Sequence, residues 1–275
     1  MVPPQAEAAP IVGESLDDAT RLEDAGDGRF VAQVSPAWEI WGPNGGYLAA
    51  LALRAAGARA RIPQPAPFHA TFLRSPRFDE VTLDVTVLKA GRRAETFSVT
   101  MSQDGRPVLA AMVQTAAIAP GYDGQAVLAP DVPPAEMAPP LDFHAPYAFW
   151  HNVDLRSAAE LGQARLTEWV RFRPVARFDD PFLEAARPLI LLDTYGWPAA
   201  YRTYGGGPFI APNLDTSAWF YPATSATDWL LIDHEYQVAG QGRLGVAGRV
   251  WDENGRLIAT GAAQLCCLPA DGEPA

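Results

Sequence analysis

The chain has 275 residues, of which 48% are hydrophobic and 19% charged, a composition typical of a globular protein with a substantial core. Its formal net charge of -11 at pH 7 argues against a general nucleic-acid or anionic-membrane surface. Lys89 is the only lysine, so nearly all positive charge comes from arginine. We attribute this arginine usage to compositional bias first and to recognition of a phosphate by a local arginine cluster second.

The cysteines and the apolar runs indicate the compartment. Cys266 and Cys267 are adjacent, and ordinary disulfide geometry does not join neighbours, so we expect small apolar strand residues in a reducing environment. No apolar run reaches the roughly 20 residues that span a bilayer. The first residues, MVPPQAEAAP, lack the basic start and apolar stretch of a signal peptide. These features predict a soluble, cytoplasmic protein without a membrane partner.

The first half of the chain alternates between one helix and several strands. Residues 1 to about 18, rich in proline, alanine and acidic residues, are predicted to form a loose tail. Residues 28–36 alternate as a first strand. In WGPNGGYLAALALRAAG (41–57), apolar residues recur at helical spacing, which predicts a small-sided helix over 44–57. Four strands are predicted to follow it, at 68–76, 81–87, 97–101 and 107–116, with a tight turn at Asp104-Gly105.

A proline-rich segment separates this half from a second one. Residues 120–143 are predicted to link a domain at 20–119 to a domain at 144–268, because no sheet tolerates their density of prolines. Residues 183–203 are predicted to be helical. Strands are predicted at 149–157, 164–174, 213–222, 229–239, 243–252 and 257–268, with a hairpin turn at Asn254-Gly255.

The two halves share landmarks at nearly constant separation, which indicates an internal repeat. The separations are 150 positions for Gly105 and Gly255, 150 for Gln114 and Gln264, 146 for Pro76 and Pro222, and 149 for Asn44 and Asp193. The alternative is two hairpins that merely share turn chemistry. A true repeat predicts two superposable halves, with helices 44–57 and 193–203 near one another.

The ordered pattern WGPNGGYLAALALRAA, FHATFLRSP and DGRPVLAAMVQTA, then LILLDTYGWPA, NLDTSAWFYP, WLLIDHEY and NGRLIATGAAQ, resembles the thioesterase-like superfamily of double hotdog proteins. It is similar to the type II acyl-CoA thioesterases over roughly residues 20–268. The resemblance implies an α+β double hotdog, two tandem repeats that each wrap an antiparallel sheet around a central helix. It further implies an acyl-CoA thioester hydrolase without a cofactor, with acyl-CoA as substrate and with a homo-oligomer left open.

Thioester hydrolysis needs a held water, a group that accepts its proton and stabilisation of the oxyanion. By resemblance, Asp193 matches the catalytic aspartate and Gln264 the glutamine that orients the water. On the residues alone, a helix N-cap or first-turn acid is the favoured interpretation of Asp193, whereas Gln264 fits a backbone-bonded amide as well as it fits a catalytic role. Asn213 stands where the family usually has threonine, a departure that removes a hydroxyl and leaves full activity open.

Five further residues are candidates for binding substrate. Gly45 and Gly46 offer backbone N–H donors to the acyl carbonyl, or merely allow close helix packing. Ser217 faces the same side of an extended strand as Asn213 and offers a replacement hydroxyl. Tyr47 and Trp219 are candidates to line an acyl tunnel, or are simply core residues.

Other chemistries find less support in the sequence. There is no metal-binding spacing of His, Cys and Asp, no serine nucleophile elbow and no phosphate loop. One rival function is a non-catalytic acyl-binding or scaffolding protein that kept the fold. Another is a hotdog dehydratase or hydratase, whose histidine–carboxylate pair only His69 or His234 could supply. Acyl-chain length, and coenzyme A against an acyl-carrier protein, stay open.

The repeat also predicts one working site per chain. Gln264 has a counterpart in Gln114, but Asp193 is matched with Asn44, and an amide is too weak a base to accept a proton from water near neutral pH.

Overall fold

The computed structural model describes residues 13–141, 147–159, 162, 164–205, 207–222 and 227–270. The first half contains α1 (Leu16–Ala19), β1 (Glu23–Gly26), β2 (Arg29–Gln33), α2 (Gly45–Gly57), β3 (Pro65–Phe72), β4 (Glu80–Ala90), β5 (Ala94–Gln103) and β6 (Arg106–Ala116). The second half contains β7 (Val153–Ala159), β8 (Arg165–Phe172), α3 (Pro181–Thr194), α4 (Gly196–Tyr204), β9 (Phe209–Ile210), β10 (Asp215–Phe220), β11 (Trp229–Gly240), β12 (Arg243–Asp252), β13 (Leu257–Cys266) and β14 (Leu268–Pro269). Short 3-10 helices lie at Pro36–Trp38 and Ala148–Asn152. Among these residues, no helix combines the length and apolar character that crossing a membrane requires.

Twelve strands form one antiparallel sheet, in the order β1-β2-β4-β5-β6-β3-β10-β13-β12-β11-β8-β7. The second half repeats the order of the first in reverse about the β3–β10 pair, which gives the sheet a pseudo-twofold axis. The helix α2 packs on first-half strands, α3 packs on second-half strands, and the two helices pack against each other. This architecture confirms the expected α+β double hotdog.

Local sequence explains most of these elements. The Asn44 side chain accepts the Tyr47 N–H at 2.8 Å and so begins α2. The helix is rich in small residues and is almost entirely buried. In β5, buried and half-buried residues alternate throughout, as expected for a strand with one face on the core. Asp104 and Gly105 both have positive φ, 51° and 72°, which closes the β5–β6 hairpin in two residues.

The second-half helix differs from its prediction. We expected a helix opening at Asp193, but α3 begins at Pro181 and Asp193 is its penultimate residue. The cause is an Asp180-Pro181 start signal: the Asp180 side chain accepts the Phe182 N–H at 2.8 Å, and proline suits the first helical turn. The helix then breaks before Gly196, where a Cβ would lie 2.7 Å from a methyl group of Val246.

The ends of two other predicted segments also differ. Residues 13–18 are not a loose tail: Leu16 is buried in the core and the Glu14 N–H donates to Asn152 Oδ1 at 2.8 Å. The rest of the predicted tail, residues 1–12, lies outside the described residues. The strand expected at 149–157 begins as a 3-10 helix and becomes extended only at Val153.

Part of the proline-rich segment packs on the sheet. Ala135 and Ala138 form a buried cluster with Trp169, Trp229, Leu231 and Trp251. The Trp169 indole N–H donates to the Pro133 carbonyl at 3.0 Å. This cover explains why five consecutive residues of β8, from Leu166 to Val170, are buried instead of alternating with exposed ones.

Candidate active site

The N-terminus of α2 and the C-terminus of α3 lie side by side. The Asn44 amide that caps α2 also donates to Thr194 Oγ1 at 3.0 Å. A Cβ on Gly46 would lie 2.7 Å from the Ile190 Cα, and a Cβ on Gly45 would lie 2.8 Å from Asp193 Oδ2. The α3 backbone therefore leaves no room for a side chain at Gly46, and a Cβ at Gly45 would press on the Asp193 carboxyl and the Phe72 ring. This satisfies the packing interpretation of the Gly-Gly pair and also brings its backbone to a carboxyl group.

The Asp193 carboxyl lies at this helix junction and is only 5% exposed. The Asn213 side-chain amide donates to Asp193 Oδ1 at 2.6 Å and to the Asp193 carbonyl at 2.9 Å. Burial raises the pKa of Asp193 to about 7, against the hydrogen bonds from Asn213 and from the Gly46 N–H, which lower it. The charge of Asp215 raises it further. A carboxyl group with such a pKa can exchange a proton near neutral pH.

The first turn of α2 retains one N–H donor. The Gly46 N–H points at Asp193, the Tyr47 N–H is capped by the Asn44 side chain, and the Leu48 N–H donates to the Asn44 carbonyl at 3.1 Å. Across the described part of the chain, no acceptor takes the Gly45 N–H. A donor at the positive end of a helix suits a developing negative charge.

Gln264 lies on β13, the strand next to this group. It precedes Leu265, the bridge partner of Asn213, and its backbone N–H donates to Asp215 Oδ1 at 2.8 Å. Its side chain is exposed, and no hydrogen bond to the amide is found in the ranges that the structure describes. The structure thus joins Asp193, Asn213, Gly45 and Gly46, and leaves Gln264 on the neighbouring strand.

The other three candidates lie elsewhere. Tyr47 is fully buried, stacks on Trp38 with centroids 5.5 Å apart and donates its hydroxyl to the Ala19 carbonyl at 2.8 Å. Burial raises its pKa well above the ordinary value. Ser217 Oγ lies 2.8 Å from His69 Nδ1, and Trp219 is 45% exposed. The structure does not bring these three side chains to the Asp193 carboxyl.

Among the residues that the structure describes, neither strand histidine forms a hydrogen bond or ion pair with a carboxylate. His69 bonds to Ser217, as above. His234 is fully buried, its Nε2 lies 3.3 Å from the Leu192 carbonyl, and burial lowers its pKa to about 4. The histidine–carboxylate pair that a dehydratase requires is therefore not formed by either residue.

Two residues that sequence reasoning missed belong to the site. Thr194 accepts a hydrogen bond from the Asn44 side chain that caps α2. Asp215 raises the pKa of Asp193 through its charge and accepts the backbone N–H of Gln264. Asp215 begins β10, two positions after Asn213, so extended-chain spacing alone could have signalled it. No comparable signal marks Thr194, because its role depends on how the two helices pack.

At the opposite end of the helix pair, the position that corresponds to Asp193 carries no side chain. The two N-caps, Asn44 and Asp180, are the true counterparts in the repeat, 136 positions apart. The same separation relates Gly57 to Asp193 and Gly46 to Phe182. Consistent with this, a Cβ on Gly57 would lie 2.5 Å from the Phe182 ring. The predicted match of Asp193 with Asn44 was wrong, and glycine occupies the position equivalent to Asp193.

Comparison with known proteins gives a family for both halves. Residues 34–116 match the acyl-CoA thioesterase N-terminal domain, and residues 127–268 match the acyl-CoA thioesterase C-terminal domain. Comparison with curated protein sequences gives no match.

Solved structures similar to this chain include three that align with nearly all of it. The TesB protein of Mycobacterium avium subspecies paratuberculosis is 25% identical, covering 92% of this chain and 98% of that one, with a TM-score of 0.78. The acyl-CoA thioesterase II TesB2 of Mycobacterium marinum is 21% identical, covering 94% and 100%, with a TM-score of 0.81. A hotdog-fold protein of Alicyclobacillus acidocaldarius is 23% identical, covering 96% and 100%, with a TM-score of 0.83. With both of its halves matched, the chain belongs to the acyl-CoA thioesterase family, whose type II members share its double hotdog fold.

Proposed function

We propose that this protein hydrolyses an acyl thioester of coenzyme A by direct attack of water, with Asp193 as the general base. The observation that supports it best is the Asp193 carboxyl itself, which is buried against the start of α2 with a pKa of about 7, beside a Gly45 N–H that no acceptor among the described residues takes. The ideal pKa of a general base lies near the working pH, and an ordinary surface aspartate is far too acidic for that task.

In the proposed reaction, ionised Asp193 takes a proton from water as the water oxygen bonds to the thioester carbonyl carbon. The carbonyl oxygen becomes an oxyanion, which the Gly45 N–H and the positive end of α2 stabilise. The oxyanion then collapses, the carbon–sulfur bond breaks, and the proton held by Asp193 passes to the departing thiolate. The products are a carboxylic acid and free coenzyme A.

Two amides complete the proposal. Asn213 holds the Asp193 carboxyl through one strong donor at 2.6 Å and takes over the place of the family's threonine. Gln264 is assigned the orientation of the attacking water, since its amide is exposed beside the strand bridge that positions Asn213. The assignment of Gln264 requires a water between its amide and the substrate carbonyl.

A panel of short, medium, long and aromatic acyl-CoAs, assayed by release of free thiol, tests this function. We expect turnover of at least one class, and a loss of about 10² or more in Asp193→Asn, the scale of general-base catalysis. Asp123→Asn is the matched control, because Asp123 is exposed in the segment between the halves. Unchanged turnover in Asp193→Asn would disprove the role of Asp193.

The second candidate is an acyl-CoA binder without turnover. It is favoured by the direct bond from Asn213 to Asp193 and by the 5% exposure of Asp193, which leave the carboxyl little access to water. Isothermal titration with the same panel separates the two functions. Tight binding of an acyl-CoA by the wild type, without release of thiol, would favour the binder.

A further inference from the structure

Three buried side chains near the junction of α3 and α4 carry polar atoms that form no hydrogen bond with any described residue. These atoms are Glu168 Oε2 on β8, the Tyr195 hydroxyl at the end of α3 and His234 Nδ1 on β11. The three residues are 9%, 1% and 0% exposed. Because a buried polar atom without a partner costs free energy comparable to a lost hydrogen bond, three such atoms indicate a partner that they share.

Strand pairing places Glu168 and His234 on the same face of the sheet. Glu168 lies opposite Ile232 in the β8–β11 ladder, and His234 follows Ile232 by two residues. The Cα atoms of such diagonal neighbours lie about 7–8 Å apart, a distance that long side chains can span. From the helical layer, the Tyr195 ring packs near the His234 ring with centroids 6.0 Å apart. The charge of Glu168 also acts on the Tyr195 hydroxyl.

The His234 ring is oriented by two contacts. Its Nε2 lies 3.3 Å from the carbonyl of Leu192, which belongs to the last turn of α3, where helical donors run out. Gly248 is the register partner of His234 on β12, and a Cβ there would collide with the ring. A carbonyl can only accept a hydrogen bond, so Nε2 carries the proton. In the neutral ring, Nδ1 is then an acceptor.

Burial and the surrounding charges define the protonation of the three groups. Burial lowers the pKa of His234 to about 4, although its backbone hydrogen bond and the charge of Asp233 raise it, so the ring is neutral near pH 7. Burial and the charge of Glu168 raise the pKa of Tyr195 well above its ordinary value, so the hydroxyl keeps its proton. Burial raises the pKa of Glu168 to about 7, and the charge of Arg202 lowers it.

A single water molecule matches this set of donors and acceptors. Ionised Glu168 and His234 Nδ1 are two acceptors, whereas the Tyr195 hydroxyl is a donor. A water offers two O–H donors and an oxygen that accepts, and a buried water typically makes about three hydrogen bonds. A direct bond from Tyr195 to either acceptor would leave the other acceptor unsatisfied.

We propose that Glu168, Tyr195 and His234 bind one internal water, and that this water holds the His234 ring against the last turn of α3, which carries Asp193. The binding of water does not depend on the proposed function. Its effect on turnover rests on that function, in which Asp193 is the general base. The three residues are then positioning residues, which act on the reaction through the placement of α3.

A high-resolution crystal structure of the wild-type protein tests the water itself. We expect a water within about 3.2 Å of Glu168 Oε2, the Tyr195 hydroxyl and His234 Nδ1. Direct hydrogen bonds among the three side chains, or three side chains with no water between them, would overturn the proposal.

Nitrogen-15 NMR of the four histidines tests the state of His234, whose signals are assigned by their loss in His234→Gln. The variant is Tyr195→Phe, and the matched control is Tyr204→Phe. The control also removes one hydroxyl, from a tyrosine that is 55% exposed and bonds to the Tyr236 hydroxyl at 2.6 Å. We expect a neutral His234 ring with its proton on Nε2 between pH 6 and pH 8. The Nδ1 resonance should shift in Tyr195→Phe and stay in place in Tyr204→Phe. A proton on Nδ1, or the same spectrum in both variants, would contradict the proposal.

Thiol release from a hydrolysed acyl-CoA tests the effect on Asp193. We expect Tyr195→Phe to lower kcat about threefold or more with little change in KM, while Tyr204→Phe behaves as wild type. The rise of kcat/KM should also move to higher pH in Tyr195→Phe, because a displaced Asp193 loses part of the Gly46 N–H bond that lowers its pKa.

The pH profile separates positioning from simple destabilisation, since a partly unfolded protein has fewer active molecules but an unmoved profile. An unmoved profile in Tyr195→Phe would therefore overturn the positioning role. If no acyl-CoA is hydrolysed by the wild type, the proposed function fails. The crystal structure and the histidine spectra still decide the water in that case, because neither needs turnover.

Discussion

Replacing Asp193 by asparagine should stabilise the protein at alkaline pH. The pKa of Asp193 is about 7 in the folded chain against 3.8 for the free side chain, so the folded state binds the proton more tightly than the unfolded state. The stability that this group contributes is fully present below pH 3.8 and is lost as pH rises through about 7. A shift of roughly 3 units corresponds to about 4 kcal/mol across the whole window, at 1.36 kcal/mol per unit.

The measurement is urea unfolding of wild type and Asp193→Asn at pH 5 and pH 8, with the free energies compared at each pH. Contributions that do not depend on pH, such as a less favourable contact of the new amide with the Gly46 N–H, cancel in the difference. We expect the wild type to lose about 3 kcal/mol relative to the variant between these two values. Parallel pH profiles would refute the conclusion that Asp193 is a buried group that ionises near pH 7.

Three other predictions concern the same site. The kcat/KM of the wild type should rise with pH through about 7, as Asp193 ionises. Asn213→Ala should move this rise to higher pH, because it removes a hydrogen bond that lowers the pKa of Asp193; identical pH profiles for the wild type and the variant would contradict this. Gly46→Ala should destabilise the protein by about 1–3 kcal/mol, because its Cβ meets the α3 backbone, whereas Gly121→Ala, with nothing within 4 Å, should not; denaturant midpoints decide. Gln264→Ala should lower kcat and Gln114→Ala should leave it unchanged, so equal effects would argue against Gln264 as the residue that orients water.

The strands and turns could be predicted because their signals are local. Alternation in β5 and the Asp104-Gly105 turn depend on residues a few positions apart, and both appear in the structure as expected. The signal for the start of α3 is equally local, since Asp180-Pro181 is an N-cap residue followed by a proline. The prediction instead placed the helix start by the apolar run before Asp193. That error came from overlooking a signal that the sequence does contain.

The site could be predicted only in part, because its contacts depend on how two helices cross. The resemblance selected Asp193 and Asn213, and the structure joins them directly by a hydrogen bond. No local pattern predicts that Gly46 must be a glycine because Ile190 packs against it. Nor does one predict that Gly57 occupies the position that corresponds to Asp193 in the other half. These facts follow from the antiparallel packing of α2 on α3, which the chain specifies only once both halves have folded.

The pairing of β3 with β10 means that each half covers the exposed edge strand of the other half's sheet. Before the second half is synthesised, β3 presents an unpaired edge, a row of free backbone donors and acceptors that tends to recruit another strand. In register, His69 of β3 faces Ser217 of β10 and Phe68 faces Ala218. When first halves are present without second halves, the strand available to take the place of β10 is β3 of another copy. A first half produced without the second should therefore form homodimers or larger aggregates. In the full chain, the covalent link between the halves favours the β3–β10 pairing because it raises the local concentration of the second half.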